Sequence, residues 1–313
     1  MKWRIIVSAP YLQPHIERYR AVFDAHGAEI ILPVVNERLS EEELFSLVGE
    51  IDGVVAGDDR FTRHVLEKAV PRLKVISKWG TGIDAFDQEA CRELGVVIRN
   101  TPDAFTDPVA DSVMGYVLAF ARRLPWMDRQ MKSGVWDKIP GRALNETTLG
   151  IIGVGRIGKA VARRARAFGI RLVGHDIIDM PGDFLDETGI AMLSREEVLS
   201  LSDYVTLNCD LNPSSRHLMD AKSFALMKRD AVLINMARGP IVDEKALVEA
   251  LSLGQIAGAG LDVFEEEPLP AGSPLRAMDN VLLAPHNSNS SPKAWARVHD
   301  NTLKNLFDVL EGR

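Results

Sequence analysis

The sequence is poor in cysteine, has no excess of basic residues and contains no long hydrophobic run. Its two cysteines, Cys91 and Cys209, are too few for a disulfide framework or a cysteine-based zinc site, and they fit a reducing compartment. A formal net charge of -7 argues against nucleic acid or an acidic membrane as a partner, because no positive excess is available to neutralise phosphates. The apolar run near the N-terminus is too short for a signal peptide, and no later run has the length of a membrane span. We therefore expect a cytoplasmic protein, without a metal site, that acts on a small molecule.

What the sequence does contain is a regular alternation of short β-branched segments with helical patterns. This alternation predicts an α/β fold, in which helices cover parallel sheets. One series runs from WRIIVS (3–8) to GVVI (95–98), and a second runs from LGIIGV (149–154) to NVLLAP (280–285), which predicts two doubly wound domains with short crossings near Asn100 and Asn287. Locally, Ser40 and Glu43 have the spacing of a capping box, and Asp107 before Pro108 is expected to cap a long apolar helix.

The strongest local motif is the glycine pattern Gly153-x-Gly155-x-x-Gly158 between an apolar strand and a helix. In this context the first glycine permits a tight turn, the second lets a pyrophosphate approach the backbone, and the third lets helix and strand pack closely. The second strand ends at Asp176, whose carboxylate is suited to the ribose hydroxyls and repels a 2'-phosphate. The motif therefore predicts a Rossmann domain that binds NAD rather than NADP.

Three further segments supply candidate chemistry at predicted strand ends. Arg238 follows one strand and has the planar fork needed to hold a carboxylate, Glu267 ends the acidic run EEE (265–267), and His286 follows the run LLAP (282–285). Hydride transfer involving a 2-hydroxy acid needs a cation for the carboxylate, a base for the hydroxyl proton and a carboxylate that orients the base. These roles fit Arg238, His286 and Glu267, whereas Glu265 and Glu266 are interpreted as solvated charges.

The chain resembles the D-2-hydroxyacid dehydrogenase family, specifically its short members similar to phosphoglycerate dehydrogenase that lack a regulatory domain. The resemblance covers essentially the whole chain and rests on KWGTGIDAFD (78–87), VIRNTPDAFTDPVAD (97–111), GVGRIG (153–158), NMARGPIVDEKAL (235–247), GAGLDVFEEEP (258–268) and LAPH (283–286).

The resemblance implies a flavodoxin-like substrate domain built from residues 1–99 and 287–313 and a central NAD domain of residues 100–286. It also implies a homodimer formed through the central domain and a catalytic set of Arg238, Glu267 and His286. Further residues are expected to contact the ligands: Arg156, Ile157 and Asp262 the cofactor, with Asp262 at the nicotinamide amide, and Lys78, Trp79, Gly80, Thr81 and Arg238 the substrate.

Some segments depart from the family pattern. Asn208 and Asp210 replace a histidine and a proline near the adenosine, and polar residues follow His286 in place of small apolar ones. The candidates to face the third substituent on C2 are Lys78, Trp79, Arg142 and the segment 287–290. The indole of Trp79 could pack on a hydrocarbon chain, but the polar and cationic groups outweigh it, which favours a small polar acid of the hydroxypyruvate, glyoxylate or phosphoglycerate type. Two alternatives to an NAD-dependent oxidoreductase stay open: an NAD(H)-sensing protein of the corepressor kind, and a structural oligomer with a vestigial site.

Overall fold

The computed structural model describes residues 2–313, which form two compact units. One unit extends to Phe105 and is completed by Ser291–Arg313, and the other is Thr106–Ser290. The strands are β1 (Trp3–Val7), β2 (Ala28–Ile31), β3 (Gly53–Ala56), β4 (Val75–Lys78), β5 (Val97–Arg99), β6 (Thr148–Ile152), β7 (Arg171–His175), β8 (Ala191–Met192), β9 (Tyr204–Leu207), β10 (Val232–Asn235), β11 (Gly258–Leu261) and β12 (Val281–Leu283). The α-helices are α1 (Ile16–Ala25), α2 (Glu41–Leu47), α3 (Arg63–Ala69), α4 (Gln88–Leu94), α5 (Thr106–Arg122), α6 (Leu124–Lys132), α7 (Arg156–Arg166), α8 (Gly182–Thr188), α9 (Arg195–Leu201), α10 (Ala221–Leu226), α11 (Glu244–Ser252) and α12 (Pro292–Leu310). No helix within residues 2–313 is both long enough and apolar enough to cross a membrane.

Each unit is built on its own parallel sheet. The first sheet has the order β2-β1-β3-β4-β5, which is the flavodoxin-like arrangement, and α12 packs on β3 and β4. The second has the order β12-β11-β10-β9-β6-β7-β8, which is the Rossmann arrangement extended by one strand. The predicted fold class of two doubly wound parallel-sheet domains is therefore confirmed. Sequence analysis missed β8, because a strand of two residues leaves no periodicity to detect.

The two helix starts chosen from the sequence have different outcomes. Ser40 and Glu43 form the predicted capping box at the start of α2. The prediction that Asp107 caps α5 is wrong, because the helix already begins at Thr106 and Asp107 lies in its first turn. There the carboxylate of Asp107 accepts a hydrogen bond from the Arg164 guanidinium of α7 at 2.9 Å, so an ion pair between two helices replaces the expected cap.

Apolar side chains from the strands and helices fill a separate core in each unit. In the first unit, Ile6, Val54 and Ile76 of three adjacent strands are buried against α2, α3 and α4. In the second unit, the buried core includes Val205 of β9, Leu233 of β10 and Ala259 of β11. Because both faces of each sheet are covered, the strands are apolar on both sides, and the polar groups that remain gather at the strand ends.

An aromatic cluster lies at the carboxyl end of β4 in the first unit. Trp79 packs against Tyr11, Trp295 and His299, with ring centroids 5.3 to 6.0 Å away. Its indole Nε1 donates a hydrogen bond to Nδ1 of His299 at 2.8 Å. Accepting this bond requires an unprotonated Nδ1, and burial, aided by the nearby charge of His15, lowers the pKa of His299 to about 4.

We predict that His299 makes the stability of the chain sensitive to acid. In the unfolded chain a histidine binds a proton near pH 6.5, whereas the folded ring stays neutral to about pH 4, so its contribution is complete above pH 6.5 and is lost as the pH falls through this window. Urea denaturation between pH 7 and pH 4 should show a decline that is smaller by about 1 to 3 kcal/mol in His299→Gln than in the wild type. The exposed His64→Gln variant serves as the control, and identical pH slopes for wild type and His299→Gln would contradict the prediction.

Candidate active site

The predicted catalytic residues follow three adjacent parallel strands of the second unit. Strands β10, β11 and β12 pair in register, with Asn235 opposite Leu261 and Leu261 opposite Leu283. Arg238 lies three residues beyond β10, Glu267 lies in the loop after β11, and His286 lies three residues beyond β12. Because neighbouring strands are about 4.8 Å apart, all three loops emerge at the same sheet edge.

Glu267 and His286 form a direct pair. Nδ1 of His286 lies 3.0 Å from Oε2 of Glu267, and both side chains are partly buried. The other carboxylate oxygen of Glu267 accepts the backbone N–H of Phe264 at 2.9 Å, which fixes the orientation of the carboxylate. A carboxylate only accepts hydrogen bonds, so the hydrogen of the neutral imidazole is placed on Nδ1 and Nε2 is the basic ring nitrogen.

The loop that carries Arg238 is held by its own backbone and by a close contact with the Glu267 loop. The side chain of Asn235 donates to the carbonyl of Arg238 at 2.8 Å, and the Arg238 guanidinium donates to the carbonyl of Ala237 at 2.9 Å. At Gly239 a Cβ atom would lie 1.8 Å from the carbonyl oxygen of Phe264. Only glycine fits at this position, so the two loops are packed backbone to backbone. Gly239 is not among the residues predicted to form the site, although the pair Gly239-Pro240 directly after Arg238 is a signal of a tight turn.

The glycine motif has the geometry of a dinucleotide loop. Gly153 has a positive φ of 87°, and a Cβ atom there would lie 2.5 Å from the backbone nitrogen of Cys209. Gly158 packs against the carbonyl of Gly153 with no room for a side chain, whereas space around Gly155 is open to 4 Å. Gly155 is also the N-cap of α7 and makes no side-chain cap. The loop therefore has an open approach at Gly155, at the N-terminus of α7 and next to Arg156 and Ile157, as the predicted pyrophosphate site requires.

Asp176 lies directly after β7 and next to this loop. One carboxylate oxygen accepts the backbone N–H of Val154 at 2.6 Å, and the other accepts that of Ile178 at 3.1 Å. These bonds fix the carboxylate beside the glycine motif. The segment 208–210, where the sequence departs from the family pattern, packs against the same loop through Cys209 and Gly153.

The predicted substrate residues of the first unit lie at the carboxyl end of β4. Lys78 is the last residue of the strand, and its side chain is 5% exposed. Its ammonium group donates to the carbonyl of Trp79 at 3.0 Å and pairs with Asp58 at 3.1 Å. The backbone N–H of Trp79 donates to the carbonyl of Ala56, and that of Gly80 donates to the hydroxyl of Thr101. The side chain of Thr81 also bonds to Thr101. The segment is thus held in a fixed turn, and its role toward a substrate stays a prediction.

One interpretation made from the sequence is wrong. The guanidinium of Arg142 binds Asp203 at 3.0 Å and Asp230, which precede β9 and β10. Arg142 therefore lies at the amino end of these strands, opposite the edge that carries Arg238 and His286, and it does not face that edge. Glu265 is exposed, as interpreted from the sequence, and pairs with His217 at 2.5 Å on the surface.

Comparisons with known proteins agree with the fold. Residues 114–288 match the family model described as D-isomer specific 2-hydroxyacid dehydrogenase, NAD binding domain. The chain is 40% identical over 278 residues to a D-3-phosphoglycerate dehydrogenase of Methanocaldococcus jannaschii, covering 88% of this chain but 52% of that protein. It is 37% identical over 280 residues to a glyoxylate reductase of Korarchaeum cryptofilum, covering 87% of this chain and 84% of that protein. The chain thus spans about half the length of the phosphoglycerate dehydrogenase and most of the glyoxylate reductase.

Solved structures show the same likeness over the whole chain. The TT0316 protein from Thermus thermophilus superimposes with a TM-score of 0.86 at 36% identity, covering 99% of this chain and 97% of that one. A D-lactate dehydrogenase from Aquifex aeolicus, solved with NAD and lactic acid, superimposes with a TM-score of 0.89 at 27% identity, covering 99% and 96%.

The fold and the matched model define the class of protein as an α/β protein with two parallel-sheet units, one of which is a Rossmann domain that matches an NAD-binding family model. The chain belongs to the D-isomer specific 2-hydroxyacid dehydrogenase family. The predicted family and the predicted NAD-binding domain are therefore confirmed, while the individual residue roles stay predictions.

We predict a clear preference for NADH over NADPH because of Asp176. The 2'-phosphate of NADPH would bring negative charge next to this fixed carboxylate. It would also replace the ribose hydroxyl that is expected to donate a hydrogen bond to Asp176, so kcat/KM with NADPH should be lower by at least about tenfold. Asp176→Ala should narrow the ratio of the two values, while the control variant Asp183→Ala, in the first turn of α8, should not. Equal kcat/KM for both cofactors in the wild type would contradict the prediction and would point to Arg171 or His175 as compensating contacts.

Proposed function

We propose that the protein reduces small 2-oxo acids to D-2-hydroxy acids with NADH, and catalyses the reverse reaction. The observation that carries the proposal is the Glu267–His286 pair at the sheet edge that also presents Arg238. A carboxylate-oriented imidazole beside a strand-end arginine is the set needed for proton transfer to a carbonyl oxygen next to a carboxylate.

In the proposed mechanism, the Arg238 guanidinium binds the substrate carboxylate and polarises the C2 carbonyl. Bound NADH supplies the hydride that C2 accepts. Protonated His286 gives the proton on Nε2 to the carbonyl oxygen, while Glu267 keeps Nδ1–H in place and stabilises the imidazolium by its charge. In the oxidation direction, neutral Nε2 removes the hydroxyl proton.

We propose that the substituent on C2 is small, as in glyoxylate or hydroxypyruvate. Trp79, one of the residues expected to contact the substrate, is enclosed by Tyr11, Trp295 and Phe105, which leaves little space beside it. Lys78 is already paired with Asp58, so it offers no unneutralised charge to a phosphate group. A relative named as a glyoxylate reductase, most of whose length the chain covers, supports the same choice.

The family and the relatives favour the oxidoreductase over the two alternatives left open by the sequence. A corepressor-like protein needs the fold and the cofactor but no oriented proton donor. The bonds of Glu267 to Phe264 and to His286 are those of a maintained acid–base pair, which a vestigial site would not require.

We predict that His286→Asn loses most turnover and keeps its cofactor affinity. Loss of a general acid costs about 100- to 10,000-fold, so kcat for reduction should fall by at least about 100-fold while the Kd for NADH changes by less than about threefold. In the wild type, reduction should weaken and oxidation should strengthen as the pH rises and the imidazolium loses its proton. His217→Asn, which removes the other glutamate-paired histidine of the same unit, is the matched control. A rate near that of the wild type in His286→Asn would remove the histidine from the mechanism.

We predict that kcat/KM falls as the substituent on C2 of the 2-oxo acid becomes larger. We expect kcat/KM for glyoxylate and hydroxypyruvate to exceed that for phenylpyruvate and a branched-chain 2-oxo acid by at least about tenfold. Trp295→Ala should raise the value for phenylpyruvate relative to glyoxylate, because it opens the aromatic cluster. A wild-type preference for phenylpyruvate would show that the cluster binds the substituent and does not exclude it.

We further propose a homodimer formed through the central unit. Leu124, Met131 and Trp136 lie on or after α6 with 53%, 52% and 84% of their surface exposed, a concentration of apolar surface that a second copy would cover. Sedimentation equilibrium should give twice the mass of the 34.5 kDa chain, and Trp136→Asp should shift the equilibrium toward monomer. A monomeric wild type at micromolar concentration would refute this part of the proposal.

A further inference from the structure

We propose that Asp262 is a positioning residue that sets the backbone conformation at His286. This positioning contributes more to catalysis than a contact between the Asp262 carboxylate and the cofactor. The inference rests on the proposed function of His286. The family resemblance instead assigns Asp262 to the nicotinamide amide, so the two roles make different predictions for one side chain.

The hydrogen bonds that Asp262 accepts all come from the segment that begins at His286, whereas its own N–H donates to the carbonyl of Asn235. The carbonyl of Asp262 accepts the N–H of His286 at 2.7 Å. Its two carboxylate oxygens accept the next two backbone N–H groups, Oδ1 from Asn287 at 2.7 Å and Oδ2 from Ser288 at 2.8 Å. One buried residue, 1% exposed, thus binds three successive N–H groups of one loop.

The conformation of His286 shows why such a clamp is needed. Its φ is +49°, in the left-handed region that a side chain with a Cβ atom disfavours. A non-glycine residue keeps this conformation only when its surroundings hold it there. The bonds to Asp262 supply that restraint directly after the ring, while the Glu267 carboxylate holds the ring itself.

Helix α5 completes the support from the other side. The hydroxyl of Ser112 donates to the carbonyl of Ser288 at 3.3 Å. One turn further along, the ring of Tyr116 packs on Gly260, where a Cβ atom would lie 2.5 Å from it. Burial, together with the nearby charge of Asp262, raises the pKa of Tyr116 to about 12, so the phenol stays neutral beside the carboxylate. The loop after His286 is therefore held between β11 and α5.

The variant Asp262→Asn separates the two roles, because asparagine keeps the shape of the side chain but replaces one acceptor oxygen by an NH₂ donor. The amide NH₂ would face a backbone N–H, donor against donor, so the loop at Asn287 and Ser288 must shift. If Asp262 positions His286, kcat at saturating NADH should fall by at least about tenfold, while the Kd values for NADH and for ADP-ribose stay within about threefold of the wild type. If Asp262 acts through the nicotinamide, the Kd for NADH should weaken by at least about tenfold with that for ADP-ribose unchanged, and kcat at saturation should be kept, which would overturn the proposal.

A milder pair of variants covers the case in which Asp262→Asn does not fold. Ser112→Ala removes only the bond to Ser288 and should lower kcat by about two- to fivefold with the Kd for NADH unchanged. Ser252→Ala removes an equivalent hydroxyl-to-carbonyl bond at the exposed end of α11 and should leave kcat unchanged. Equal kcat values in both variants and the wild type would overturn the proposal.

A readout without turnover separates failure of this proposal from failure of the proposed function. In protein isotopically labelled at the histidine rings, the NMR signal of the His286 ring reports the environment of the imidazole. That signal is assigned by its loss in His286→Asn. We expect that signal to shift in Asp262→Asn and in Ser112→Ala but not in Ser252→Ala, even if the wild type reduces none of the 2-oxo acids offered. An unshifted signal in Asp262→Asn would refute the positioning role.

Discussion

The parallel pairing of β10, β11 and β12 is the constraint on which the candidate site depends. Hydrogen bonding in register forces the three strands to end at one edge, so residues far apart in sequence, from Arg238 to His286, emerge side by side. The apolar core beneath, with Leu233 and Ala259 fully buried, holds the strands in that register. A shift of one residue would turn each core side chain toward the opposite face of the sheet, where it would meet a different set of helix side chains, so the packing of both faces specifies the register.

Close backbone contacts then set the distances within that edge. Gly239 lies against Phe264, and Phe264 in turn donates its N–H to Glu267, so the arginine loop and the glutamate loop are fixed relative to each other. On the other side, Glu267 and Asp262 hold the ring and the backbone of His286. Burial strengthens both sets of hydrogen bonds, because water competes poorly for the groups inside.

The first unit uses its strand ends differently. Its polar groups are already satisfied: Lys78 by Asp58, and the buried Asp59 by Ser8, Gly57 and Leu39. Burial raises the pKa of Asp59, against the lowering effect of these hydrogen bonds. The side chains around Trp79 are mainly aromatic, and their rings pack against one another at this edge.

The sequence by itself determined what depends on neighbours along the chain. The α/β alternation, the capping box of Ser40 and Glu43 and the glycine motif ending at Asp176 are local patterns, and each predicted its element correctly because its physical cause lies within one or two turns or strands. Arg238, Glu267 and His286 were recognisable as candidates because each follows an apolar strand. Long-range packing decided the rest: the pairing of Arg142 with Asp203 and Asp230, of His217 with Glu265, and the clamp of Asp262 on Asn287 and Ser288. A charged side chain finds its partner through the tertiary fold, and its position in the sequence does not reveal whether that partner is water, substrate or a residue on a distant strand.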